Sequence, residues 1–188
     1  MQESCKHHFS LQRSWWWRGK VIGGTGAINT MIYMRGNAKD YDHWAALGNT
    51  GWAYEDVLPY FIKLETMKDP ELAKAGHHGT EGPLSVEKGR HNTWLLDAFL
   101  KASESLGYKI RDANGPKDQS GFSPYLFNIQ NGKRASTADA YLRPVLNRDN
   151  LDIVLNTHVR QVLFDAHQRA IGIEVSQNQG QSVFEVSH

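Results

Sequence analysis

Cysteine is almost missing from this sequence. Cys5 stands alone among 188 residues, so no internal disulfide can form and no C-x-x-C pair is there to hold zinc or run thiol chemistry. Net charge is also nearly absent. The 21 basic and 20 acidic side chains leave +1, which argues against a dedicated nucleic-acid binder and removes any large attraction to polyacidic substrates or membranes. No run of 18 apolar residues occurs, so no membrane span is expected. The first twenty residues carry positive charge without an apolar stretch behind it and do not read as a signal peptide; the compartment stays open, including secretion from a start upstream. Proline is sparse, at 6 residues, while glycine reaches 17, hydrophobic residues 40% and aromatic residues 11%. That balance fits a glycine-rich mixed α/β globule better than disorder or a helical bundle. The length suits one domain or two small lobes, long enough to bury roughly 70% of its unfolded surface.

Hydrophobic period and turn chemistry predict the elements. Lys20-Val21-Ile22 reads as a short strand entering a glycine turn, with Ala27 to Met34 starting a helix after it. A short helix is expected over Asp40 to Leu47, stopped by Gly48. Glu55 to Met67 reads as a second helix, with Val57, Leu58, Phe61 and Leu64 on one face and Pro59 kinking it. Lys68 to Gly82 is polar loop. Asn92 caps a third helix that buries Leu95, Phe99, Ala102 and Leu106 and ends at Gly107. Tyr125 to Ile129 is a strand closed by Asn131-Gly132, and Ser136 caps a short helix from Thr137 to Leu142. The tail changes to period 2: Leu151–Leu155, Val159–Phe164, Ala170–Val175 and Val183–Val186 are β-rich runs, with hairpin turns near His167 and at Asn178-Gln179-Gly180. The expected class is therefore α/β, as an α+β segment ending in an antiparallel meander.

The stretch from Arg18 to Asp42, RGKVIGGTGAINTMIYMRGNAKDYD, carries the most chemistry. Paired glycines without Cβ let a flat or charged ligand approach the backbone closely and permit a sharp turn. Asn29 follows with both a donor and an acceptor. As a dinucleotide fingerprint, Gly24 to Asn29 gives only G-x-G-x-x-N, without the third glycine and without a complete βαβ unit.

The same stretch resembles the first signature of the GMC (glucose–methanol–choline) FAD-dependent oxidoreductases. Gly19 and Lys20, Gly23-Gly24, Thr25-Gly26, Ile28-Asn29, Tyr33, Gly36 and Asp42 stand where that signature has its small, basic, glycine, aliphatic-Asn, aromatic and polar positions. Many members read RGKVLGGSSAIN; Gly26 replaces a common serine, a lost hydroxyl worth about 0.5–1.5 kcal/mol. DYDHWAALGNTGWAYEDVLPYF, RASTADAYL and NLDIVLNTHVRQVLFD continue the resemblance. It implies a two-lobe flavoprotein with an FAD domain and a substrate domain. Residues 1–17 would be an atypical extension, 18–50 the flavin-covering loop and first helices, 51–145 part of the substrate domain, and 146–188 part of the FAD domain. It further implies FAD contacts from Gly23, Gly24, Thr25 and Asn29, an adenine contact through the main chain of Val159, and oxidation of a small alcohol or sugar. None of the nine histidines matches the family's catalytic context, so no catalytic residue is assigned and this chain alone is expected not to turn over.

Other readings stay beside that one. The rival enzyme is a nicotinamide-dependent dehydrogenase, which needs a strand before Val21; the rival non-enzyme is a truncated relic domain. Gly23-Gly24 can be an ordinary turn, Asn29 a cap or a satisfied core group, and Val159 a strand core residue. His77-His78 lacks a third ligand at zinc spacing, so no metal site is expected. Gly132-Lys133-Arg134 reads as a solvated turn, and Trp15 to Trp17 as a packed flap or a disordered end. Asp40 and Asp42, two apart on a helix, face different ways.

Overall fold

The computed structural model describes residues 15–90, 93–116, 118–177 and 180–185. The chain divides into two compact units, Met1–Val145 and Leu146–His188.

In the first unit, helix α1 (Ala38–Ala46) starts where the Asn37 side chain accepts from the Lys39 N–H at 2.9 Å. It stops before Gly48, whose φ of 102° turns the chain out. Helix α2 (Tyr54–Leu64) is begun by Asp42, whose carboxylate accepts from the Tyr54 N–H at 2.9 Å, and by Asp56, which reaches back to the Ala53 N–H at 3.1 Å. These contacts satisfy donors that a helix start otherwise leaves open. Pro59 lies inside α2, and Val57, Leu58, Phe61 and Leu64 are half-buried on its inner side.

The predicted helix over Glu55–Met67 ends three residues early. Glu65–Met67 is instead strand β1, because the Glu65 carboxylate is drawn into a buried polar network that requires extended backbone. A single helical turn, α3 (Pro70–Ala73), follows inside the expected loop, capped by Asp69 and opened by Pro70. Strand β2 (Leu84–Lys88) was not foreseen. It pairs in parallel with β1, Glu65 opposite Leu84, and antiparallel with β3 (Leu126–Phe127). Tyr33, Met67, Val86 and Leu126 form the buried core over this sheet, with Leu64, Leu72 and Leu84 packed around it.

Helix α4 (Trp94–Ser105) is capped by Thr93, whose side chain accepts from the Leu96 N–H at 3.3 Å; Asn92 lies outside the described residues. Its expected inner stripe is corrected. Leu95, Phe99, Ala102 and Leu106 are exposed, whereas Leu96 and Leu100 are half-buried and Ser103 is buried. The helix has two apolar stripes, and the one that packs is rotated by one residue. Leu96, Phe99 and Leu100 face Phe122 and Tyr125 across a cleft of about 760 Å³.

The strand expected over Tyr125–Ile129 is broken into β3 and β4 (Ile129–Gln130), and β4 forms a hairpin with β5 (Lys133–Arg134). Asn131 and Gly132 turn it with φ of 52° and 76°, the signature of a tight two-residue hairpin turn. After it, a π-helical turn (Ala138–Leu142) and a 3-10 turn (Arg143–Val145) replace the short α-helix, and Pro144 sits within the latter.

The second unit is a three-stranded antiparallel sheet of β6 (Thr157–Phe164), β7 (Ala170–Gln177) and β8 (Gly180–Glu185), in that order. β6 and β7 form a hairpin through a turn at 165–169, where Asp165 accepts from the His167 and Arg169 N–H groups at 2.8 and 2.9 Å. Leu151–Leu155 is not a strand; no described strand pairs with it, so its apolar run has no ladder to join. Asn178 and Gln179 lie outside the described residues.

Candidate functional site

The glycine stretch carries neither the strand nor the helix expected of it. Lys20–Ile22 runs without a ladder into a turn, and only Gly24–Ala27 is helical, as one 3-10 turn. Met31 then takes φ of 64°, which stops any helix. The chain next becomes extended, where Tyr33 N–H donates to Leu126 O at 2.8 Å and Asn128 N–H to Met31 O at 2.7 Å. A dinucleotide turn needs a strand leading into it. Among the described residues none precedes Val21, so the nicotinamide reading loses its structural premise.

The predicted residues Gly23, Gly24, Thr25 and Asn29 do fall together on this turn. Gly23 sits at φ 91°, and a Cβ there would crowd Ser136 Oγ at 3.2 Å and Ala138 at 3.3 Å, so the position favours glycine twice over. At Gly24 and Gly26, by contrast, an added Cβ would meet nothing within 4 Å, which leaves an open face of bare backbone. Thr25 Oγ1 accepts from the Gly19 N–H at 3.2 Å and cross-links the loop. Asn29 Oδ1 accepts from its own Met31 N–H at 2.9 Å and from Arg134 Nη1 at 2.8 Å.

Arg134 corrects the solvated-turn reading of Gly132-Lys133-Arg134. It is half-buried, and the same Nη1 also reaches Gly26 O at 3.1 Å. The β4–β5 hairpin thus delivers a cation to the loop from 108 residues away. Thr137 Oγ1 adds a long contact to Gly23 O at 3.4 Å. Ser136 and Asp139 lock the underlying turn reciprocally, with Ser136 Oγ donating to the carboxylate at 2.6 Å. Val159, the remaining predicted residue, lies half-exposed on β6 in the second unit. There a register shift between Val159 and Gln161 leaves Arg160 without a paired partner, the pattern of a β-bulge. Trp15 to Trp17 are exposed rather than packed.

Below the core sheet lies a second constellation that sequence reasoning missed. Arg35 and Glu65 are both fully buried at the side chain and pair at 2.6 Å. The same Glu65 Oε1 meets His78 Nδ1 at 2.6 Å and accepts from the Gly79 N–H at 2.9 Å. On its other side His78 Nε2 lies 2.8 Å from Asp112 Oδ2, and His77 Nε2 lies 3.0 Å from that oxygen. Arg35 further donates to His77 O at 2.8 Å, and its own N–H is taken by Asn114 Oδ1 at 2.8 Å. Its carbonyl accepts from the Tyr41 hydroxyl. Gly79 has to be glycine, because a Cβ would fall 1.8 Å from Ile62 O.

The electrostatics follow from this packing. Burial pushes the Glu65 carboxyl up, but the hydrogen bond from His78 and the Arg35 charge outweigh it and hold Glu65 below its ordinary value. Burial likewise opposes ionisation of Asp112, yet His78, the Asn114 N–H and His77 bring it far down. For His78 burial works against the cation, and the bonds to Asp112 and Glu65 win and raise it. Buried charges persist when each is paired and hydrogen-bonded, as here. The third group beside His77-His78 does not follow at local spacing; Asp112 arrives from 34 positions away.

Among the described residues no helix is long and apolar enough to cross a membrane. Comparison with known proteins gives a consistent picture. The GMC oxidoreductase family profile matches residues 5–188. Glucose dehydrogenase [FAD, quinone] of Drosophila melanogaster is 46% identical over 170 residues, which cover 90% of this chain and 27% of the fly protein. Oxygen-dependent choline dehydrogenase of Brucella anthropi is 43% identical over 159 residues, 84% of this chain and 28% of that protein. Among solved structures, pyridoxine 4-oxidase from Mesorbium loti superposes with a TM-score of 0.79 at 31% identity, covering 89% of this chain and 33% of that one. The chain therefore spans less than a third of the length of these relatives. Glycine turn, core sheet and tail hairpin all fall within the matched region, and the chain belongs to the GMC oxidoreductase family.

Proposed function

We propose that this chain contributes the cofactor-covering part of an FAD-dependent oxidoreductase that acts on the CH–OH group of an alcohol or sugar. The observation that carries the proposal is the open backbone face at Gly24 and Gly26, where an added Cβ would meet no atom within 4 Å beyond the adjoining backbone. Arg134 ties the same loop through Gly26 O and Asn29 Oδ1. A flat aromatic ring needs such a surface, because glycine lets it lie directly on the peptide plane. Family membership and the names of the relatives, which act on glucose or choline, support the flavin and the substrate class.

Gly23, Gly24, Thr25 and Asn29 would line the flavin and its pyrophosphate. Asn29 uses its Oδ1 internally, which fixes the amide plane and leaves Nδ2 as the donor for the cofactor. Val159 would meet the adenine through its main chain, at the bulge where the ladder is interrupted. When bound, FAD supplies the acceptor for the hydride that leaves the carbinol carbon. The chain's own residues shape that site and keep water from its covered face. The matching proton requires a base, and none is assigned here, since His77 and His78 are held in the buried network. In this reading residues 18–50 are the cover and first helices, 51–145 part of the substrate domain, and 146–188 part of the FAD domain. On its own the chain would bind rather than turn over.

The test is FAD titration of the purified chain, followed by flavin fluorescence, beside its Gly26→Val variant. Saturable binding lost in Gly26→Val, with the circular dichroism unchanged, is expected, because the added side chain meets open space there without a positive φ. Binding that is absent, or that ignores the substitution, overturns the reading in favour of a non-binding domain.

A further inference from the structure

The cluster of His77, His78 and Asp112 lies outside the glycine turn and serves no step described above. We propose that these three side chains bind one divalent transition-metal ion of the zinc class, through Nε2 of both rings and a carboxylate oxygen of Asp112. The proposal is independent of what occupies the glycine turn.

The geometry carries it in three ways. First, the donor atoms converge: both Nε2 atoms lie 3.0 Å or less from the same Asp112 oxygen, and the three ligand atoms are all within 4.8 Å of one another. Tetrahedral ligation at about 2.0–2.1 Å separates ligands by about 3.3 Å, so an ion would open the two contacts to Asp112 by only a few tenths of an ångström, with the two Nε2 atoms already within 4.8 Å of each other.

Second, the outward ring nitrogens are already held as a metal site needs them. His77 Nδ1 is 3.2 Å from Ala75 O, and His78 Nδ1 is 2.6 Å from Glu65 Oε1. Ligating histidines nearly always give their other N–H to a backbone carbonyl or a carboxylate, which fixes the tautomer. One of each is present. The outer groups are themselves anchored, Glu65 by Arg35 at 2.6 Å and Asp112 by the Asn114 N–H at 2.9 Å.

Third, each of the four ring nitrogens has an oxygen within 3.2 Å, and the two rings lie 4.6 Å apart between centroids, tilted by 45°. Two protons suffice for the outward pair. One dication replaces the two protons the inward pair would need, at the same total charge. Two imidazoles and one carboxylate suit Zn²⁺ and its neighbours rather than Mg²⁺ or Ca²⁺, which prefer all-oxygen shells. His77 and Asp112 keep 16% and 11% of their side-chain surface open, which gives an ion a way in and leaves room for a water as fourth ligand. The ion would pin the 77–79 segment to the 110–114 segment.

The experiment uses the chain stripped with a chelator and then titrated with Zn²⁺ alone against a chromophoric competitor. One ion per chain is expected, with a rise in melting temperature on loading. His77→Gln keeps a donor toward Asp112 but removes the imidazole; it should weaken Zn²⁺ by more than about 100-fold, beyond the 10–100-fold typical of losing an outer partner, and abolish the thermal shift. Asp112→Asn should do the same, while a His7→Ala/His8→Ala double variant should leave both unchanged. Absence of stoichiometric binding overturns the site, and so does binding that survives His77→Gln in folded protein.

Discussion

Two regions of the first unit hold charged and polar groups in opposite ways. In the buried network of Arg35, Glu65, His78 and Asp112, most groups have more than one partner, and the carboxylate Glu65 Oε1 alone serves three donors. In the glycine turn, two bonds from one Arg134 nitrogen and one to Thr25 hold a stretch whose outer residues stay exposed. The network is redundant and largely buried, and the turn is sparse and open. A substitution in the first should therefore appear as lost stability, whereas one in the second should appear as lost ligand binding.

Glu65→Leu gives the largest expected break. It leaves the Arg35 guanidinium buried without its carboxylate and takes the Glu65 oxygen from His78 Nδ1, and removing one partner of such a pair costs about 3–5 kcal/mol. Urea denaturation measures it. The double variant Arg35→Met/Glu65→Leu should recover much of the loss. If instead the single variant costs no more than the double, the network is not a charge-compensated unit.

Acid should dismantle the same network. Glu65 and Asp112 sit below their ordinary values of 4.5 and 3.8 in the folded chain. Their contribution is present above those values and is lost as pH falls through the lower folded ones. His78 runs the other way: raised above its ordinary 6.5, it contributes fully below that pH and loses its contribution as pH rises through the folded value. Metal-free chain should be most stable between about pH 4.5 and 6.5, read as the urea midpoint against pH. Monotonic stability up to pH 8 would show that His78 is neutral in the fold.

Gly79→Ala comes next, at about 1–3 kcal/mol for forcing atoms into filled space. Its Cβ would overlap Ile62 O, so α2 and the 77–79 segment would have to part. The loss should appear in thermal melts and should also lower any Zn²⁺ affinity. An unchanged melt would mean that this backbone contact gives way freely.

How much of this contrast the sequence disclosed depends on range. Local chemistry was readable: Gly48 ends α1, Asn131-Gly132 turns the chain, and the tail alternates into β6 and β7. What failed is whatever a distant partner decides. Ala27–Met34 is apolar enough for a helix, but Leu126 and Asn128 draw it into extended pairing. The helix through Leu64 stops at Glu65 because its carboxylate is claimed by Arg35 and His78. Arg134 looked like solvent-facing charge until the hairpin folded it back over 108 residues. Asp112 near His78 is the same kind of fact, since a metal-ligand search by spacing looks only nearby.

Within the turn, effects on stability should be small and effects on the ligand larger. Arg134→Ala removes two contacts from one half-buried guanidinium, so stability should fall by about 1 kcal/mol. FAD affinity should fall about tenfold, the equivalent of 1.4 kcal/mol, as Asn29 loses the bond that fixes it. Thr25→Val is the mildest. The hydroxyl accepts only from the exposed Gly19 N–H at 3.2 Å, which water can replace, so about 0.5 kcal/mol of stability is at stake. Thr25→Ser should restore whatever Thr25→Val loses. If Thr25→Val weakens FAD several-fold with an unchanged melt, the hydroxyl is ordering the turn for its ligand. If melt and affinity fall together, the turn belongs to the same cooperative unit as the buried network, and the contrast between the two regions is one of exposure alone.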